Sequence, residues 1–133
     1  MALCTGAYRL SKRTTQQVLD DLCGVPMRVG TIRQSEKVTT EVFAPPVEEA
    51  RAAVAVQAVA HLDETSWRQG GPRAWLWVAV TSLVTVFLIR MSRGSQGARA
   101  LLGEGFAGIL VTDRSRAYTW YPVRWRQVCW AHL

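Results

Sequence analysis

Four strand-length apolar runs fill the middle of the chain, and one short helical pattern separates the third run from the fourth. The runs are residues 56–62 (VQAVAHL), 73–81 (RAWLWVAVT), 83–91 (LVTVFLIRM) and 108–113 (GILVTD). Val, Leu, Ile and Trp dominate them, and polar or Gly-containing stretches bound them, as buried strands require. Between the third and fourth, residues 92–106 (SRGSQGARALLGEGF) read as a helix. Ser95 can cap it, Ala98, Leu101 and Leu102 form its apolar face, and Gly103 and Gly105 loosen its end. Strand, strand, strand, helix, strand restricts the chain to an α/β architecture with a mixed sheet.

Two of these runs finish on aspartate. The first meets Asp63 and Glu64 in HLDETSWRQGG, and the fourth ends on Asp113. A carboxylate at the end of a buried strand costs several kcal/mol, on the order of a buried charge, unless it is paired, solvated or metal-bound. Each aspartate has an ordinary reading: Asp63 caps the turn after its strand, and Asp113 closes an Asx turn before RSRAY. The element order adds another. It is the opening of a ribonuclease H-like fold, in which the first and fourth strands lie side by side, so Asp63 and Asp113 would meet in space. Converging carboxylates repel unless a cation intervenes. Mg²⁺ (or Mn²⁺), held by a few carboxylates and completed by water and phosphate oxygens, is the usual solution. Such a site serves phosphodiester cleavage and strand transfer.

Ahead of the strands the texture is helical. Residues 10–37 fit a helix capped by Thr14 or Thr15 and stopped by Gly24, then a second helix beginning at Pro26. This is a helix-turn-helix-like pattern, whose second helix would carry Arg28, Arg33 and Lys37 as DNA contacts. An ordinary helical hairpin with a solvated basic side is the competing reading. The net charge of +6, with 16 Lys and Arg against 10 Asp and Glu, admits nucleic acid as a partner. Residues 41–57 are acidic and Ala-rich, and Pro45-Pro46 predicts a helix end, a kink and a new helix from about Val47. The expected organisation is a helical, DNA-associated segment over 1–57 and a partial ribonuclease H-like core over 58–133.

Other signals are bland. Three widely separated cysteines, Cys4, Cys23 and Cys129, imply no disulfide framework and suit a reducing, cytoplasmic setting. No signal peptide is visible at the N-terminus. Residues 74–89 are apolar but short of the ~20 needed to cross a bilayer, and they read better as two strands and a turn. Cys129 and His132 have the spacing of half a zinc site, but a structural zinc needs about four ligands. The tail, with Tyr118, Trp120, Tyr121, Trp125 and Trp130, could stack on bases. The favoured reading is a core surface left partly uncovered, which would promote self-association.

The segments HLDETSWRQGG, RAWLWVAVTS, MSRG, ARALLGEGFAGILVTD and AY-WYPVRWRQVCWAHL closely resemble the transposases of the insertion-sequence-66 family, enzymes of the DDE type. The resemblance runs over about residues 10–133. It implies Asp63 and Asp113 as the first and second catalytic acids and metal ligands, a DNA-associated helical region before them, and element ends and target DNA as substrates. Arg28 and Arg33 stand where small polar residues are expected, and Ser115 and Arg116 interrupt the usual approach to Ala117 and Tyr118. No Asp or Glu follows Asp113, so the third acid of the family's site is missing and the chain reads as truncated before it. Glu104 is a conceivable substitute. Glu64 is a poor one, because neighbours on a strand face opposite ways. The expected function is DNA transposition with weak or absent chemistry in this chain alone. A non-catalytic DNA-binding or regulatory remnant is the alternative.

Overall fold

The computed structural model describes residues 1–68 and 71–132. The chain divides into two compact units, Met1–Pro45 and Pro46–Leu133.

In the first unit a π-helical turn, Leu3–Ala7, precedes α1, Lys12–Cys23. The cap is Ser11, whose side chain accepts the Thr14 N–H at 3.0 Å, and not Thr14 or Thr15. Thr15 is instead fully buried within the helix. Gly24 ends α1 as its sequence predicts, at φ 61, a conformation that glycine adopts without steric cost. The next helix, α2, begins at Val29 and continues to Ala55. The expected break at Pro45-Pro46 is absent. Both prolines lack an N–H, but residues 41–49 are exposed, so water can take the carbonyls that lose their helical donors. Lys12 on α1 pairs with Glu36 on α2 at 2.9 Å. Ala50 and Val54, in the C-terminal part of α2, pack into the core of the second unit.

The second unit is a mixed α/β arrangement: five strands in the order β3-β2-β1-β4-β5, with α3, Ser95–Leu102, on one face. The strands are β1 Val59–Arg68, β2 Arg73–Val80, β3 Thr85–Arg90, β4 Ile109–Thr112 and β5 Arg126–Val128. β2 and β3 form the hairpin read from residues 74–89, and among the described residues no helix is long and apolar enough to cross a membrane. β1 is central: it pairs antiparallel with β2 and parallel with β4. Period-two alternation sends Ala60, Leu62 and Glu64 inward and leaves Val59, His61 and Asp63 exposed. The inward residues pack with Trp77, Ala79, Val86 and Leu110 against Ala98, Leu101 and Leu102 of α3. Each fully buried Leu contributes about 1.5–3 kcal/mol. Gly97 sets how closely α3 approaches. A Cβ there would lie 2.2 Å from Cε2 of Trp77, so only glycine lets the helix rest on the indole. The opposite sheet face leaves Val59, Val80, Phe87, Ile89 and Ile109 exposed.

Two sequence expectations change here. β1 does not end at Asp63, since Asp63 through Arg68 pair with Val78 through Arg73 of β2. The polar stretch 65–72 (TSWRQGGP), expected as a loop between the first two strands, is strand over its first half, to Arg68, and residues 69 and 70 lie outside the described residues. Thr65 and Trp67 suit a strand, and an antiparallel partner is present to satisfy their backbone groups. The α3 cap is Gly94, with no side-chain cap, and Ser95 is the first helical residue.

Candidate active site

What stops near Asp63 is not β1 but its neighbour. β4 pairs with β1 as Val59↔Ile109, Ala60↔Leu110 and His61↔Val111, and then ends at Thr112. Two steps further along this parallel register stand Asp63 and Asp113. From there β1 is paired on one side only, with β2. Asp63 is exposed and Asp113 half-buried, so water reaches both carboxylates and their charge is tolerated. Asp63 Oδ1 accepts the Glu64 N–H at 2.9 Å, and Asp113 Oδ1 accepts the Ser115 N–H at 2.8 Å. The second contact is the Asx turn anticipated for Asp113. Among the described residues, the other carboxylate oxygen of each aspartate has no hydrogen-bond donor.

On the buried face of β1, opposite Asp63, lies a second polar cluster. The Glu64 side chain is 0 % exposed, an expensive position for a carboxylate. Two donors compensate it. Arg93 Nε donates to Oε1 at 2.8 Å, and the Tyr118 hydroxyl donates to Oε2. The Arg93 guanidinium also lies over the Trp75 ring, 4.8 Å from its centroid, and Tyr118 meets Trp77 edge-on. Burial above all, then the hydrogen bond to Glu64 and the negative charges of Glu64, Asp113 and Asp63, holds the Tyr118 phenol far above its ordinary range. Tyr118 is therefore a permanent donor. The bond to Glu64 raises the Arg93 pKa in the same way. The alternation of Ala60, Leu62 and Glu64 was the signal available in the sequence. It places Glu64 on the dry face, where an acid needs a partner.

The other singled-out residues lie elsewhere. Glu104 is exposed beyond the C-terminal end of α3, before β4 begins, whereas Asp113 follows the other end of that strand. Among the described residues no group of three or more His, Cys, Asp or Glu side chains is placed to hold a metal. Cys129 is half-buried and donates its backbone N–H to Thr112 O. The aromatic tail divides: Tyr118 and Tyr121 belong to the core, while Trp125 and Trp130 are exposed. In the first unit Arg28, Arg33 and Lys37 are all exposed. Arg28 precedes α2, its carbonyl accepting from Thr31 and Ile32, and does not sit on the helix as expected. Arg33 and Lys37, four apart, share one side of it.

No curated protein and no solved structure matches the chain. Its sequence does match the family described as Transposase IS66 family, over residues 7–133. A match over nearly the whole chain, spanning both aspartates and the strands that carry them, means that this protein belongs to the IS66 family of transposases.

Proposed function

We propose that the chain acts in DNA transposition through metal-dependent phosphodiester hydrolysis and strand transfer, on a ribonuclease H-like sheet, with Asp63 and Asp113 as the acids. The observation that carries this reading is the parallel β1–β4 register, which leads to both aspartates at the point where β4 stops. The strand order, with β1 central between an antiparallel and a parallel neighbour, supports the ribonuclease H-like assignment.

The donor set fits a hard divalent cation. Two carboxylates, each with one oxygen uncommitted to the protein, match the habit of Mg²⁺ or Mn²⁺, which keeps waters and takes phosphate oxygens as its remaining ligands. When bound, such an ion activates an attacking oxygen and stabilises a leaving one. The side chains of this chain would orient the phosphate. Two acids instead of three hold a cation loosely, so turnover by this chain alone is expected to be weak.

The test is a thermal-shift titration with MnCl₂, run beside metal-dependent nicking of DNA carrying the element's end. Stabilisation of the wild type, lost equally in Asp63→Asn and Asp113→Asn, is the expected result. A shift that survives both substitutions removes the proposed site. Robust nicking abolished by Asp63→Ala would show that a third acid is not needed.

A second reading is favoured by the exposure of Arg28, Arg33 and Lys37: DNA binding or regulation without chemistry. It requires salt-dependent binding that Arg28→Ala and Arg33→Ala weaken and Asp63→Asn does not. The exposed apolar sheet face supports self-association as an accompanying property.

A further inference from the structure

A groove of about 570 Å³ opens between the N-terminal end of α3 and the segment that follows β4. Arg93, Ser95, Asp113, Arg114, Ser115 and Arg116 line it. Three arginines face one aspartate, and no side chain caps the adjoining helix terminus, so the partial positive charge of its first turn is available. The charge balance of the groove suits an anion.

Arg93 is unlike the other two arginines. Its Nε is committed to the buried Glu64, and its guanidinium carbon lies over the Trp75 ring. Yet its side chain is 51 % exposed. Among the described residues its two terminal nitrogens have no hydrogen-bond partner. Here the acid is wholly buried while half of the base stays in the groove. A guanidinium clamped at Nε and held over an indole ring keeps the Nη edge as a two-pronged donor, the geometry that matches a phosphate. Tyr118 holds the far oxygen of Glu64, so the anchor itself cannot swing.

We propose that this groove is a subsite for a DNA backbone phosphate beside Asp113, and that Arg93 grips it in an orientation set by Glu64 and Tyr118. The inference rests on the transposase reading and deepens it. Glu64 and Tyr118 are positioning residues, because they act through Arg93.

The experiment is a fluorescence-anisotropy titration of the full chain with an oligonucleotide duplex in EDTA, repeated over a series of salt concentrations. Arg93→Lys keeps the charge but replaces the fork with a single ammonium, which Glu64 will occupy. Affinity should fall on the order of tenfold, and the slope of log K against log salt should shrink by about 0.9, one phosphate contact. Arg116→Ala removes an exposed side chain that makes no hydrogen bond or ion pair among the described residues and keeps the carbonyl that accepts from Thr119, so it should reduce the slope similarly. Glu64→Gln separates positioning from charge. Removing a negative charge would tighten DNA binding if charge alone mattered, whereas loss of the anchor weakens it. Wild-type affinity and slope in Arg93→Lys and Arg116→Ala, or tighter binding by Glu64→Gln, overturns the subsite. If the wild type shows no salt-dependent DNA binding, the transposase reading falls with it. If the wild type binds and the variants match it, only the subsite falls.

Discussion

Replacing Tyr118 with Phe tests the buried cluster at the least structural cost. The substitution removes one oxygen and keeps the ring, its edge-on contact with Trp77 at 6.2 Å and its place in the core. The bond from Arg126 goes to the Tyr118 carbonyl and survives. What disappears is the hydroxyl that donates to Glu64 Oε2, in a side chain with no exposed surface for water to reach. A hydrogen bond to a charged group contributes about 1.5–3 kcal/mol. Arg93 remains on the other oxygen, so the loss should be about 2 kcal/mol. Urea unfolding followed by tryptophan fluorescence would read it as a lower midpoint with an unchanged slope. In a Glu64→Gln background the same substitution should cost distinctly less, because the acceptor is no longer charged. A second signature lies in alkali. The folded phenol is held above its unfolded value, so it stabilises the fold below the ordinary tyrosine range and loses that contribution as pH rises beyond it. Tyr118→Phe should flatten this alkaline decline. An equal cost in both backgrounds, or an unchanged alkaline limb, would refute the account.

Two further outcomes are expected. Gly97→Ala drives a methyl into the Trp77 ring and should cost about 1–3 kcal/mol as overpacking, read as a fall in Tm. Glu36 is held below the usual carboxylate range chiefly by its hydrogen bond with Lys12. Its contribution is therefore present at neutral pH and fades as pH falls through the lowered value. Glu36→Gln should lower stability at pH 7 and flatten the acid limb, as acid unfolding monitored by circular dichroism would show.

The elements most legible in the sequence were those whose signal is local. The β2–β3 hairpin, the apolar face of α3 and the stop at Gly24 each follow from periodicity or from one residue's conformational freedom. The misreadings occurred where a neighbour decides. Asp63 resembled a strand end because charge normally marks one, yet β2 supplies partners as far as Arg68 and carries the strand past it. Pro45-Pro46 resembled a break because proline removes a donor, yet solvent around residues 41–49 makes that loss tolerable.

The sequence by itself determined the order of elements, the two aspartates that close the first and fourth apolar runs, the basic balance and the family to which they belong. Only the tertiary structure decided that β4 ends beside Asp63, and that the half-exposed Arg93 and the buried Tyr118 both donate to the buried Glu64. The reason is physical. Alternation along β1 says which way a side chain points, but partners 29 and 54 residues away in the chain are brought to Glu64 only by the packing of α3 and of the segment after β4 against the sheet.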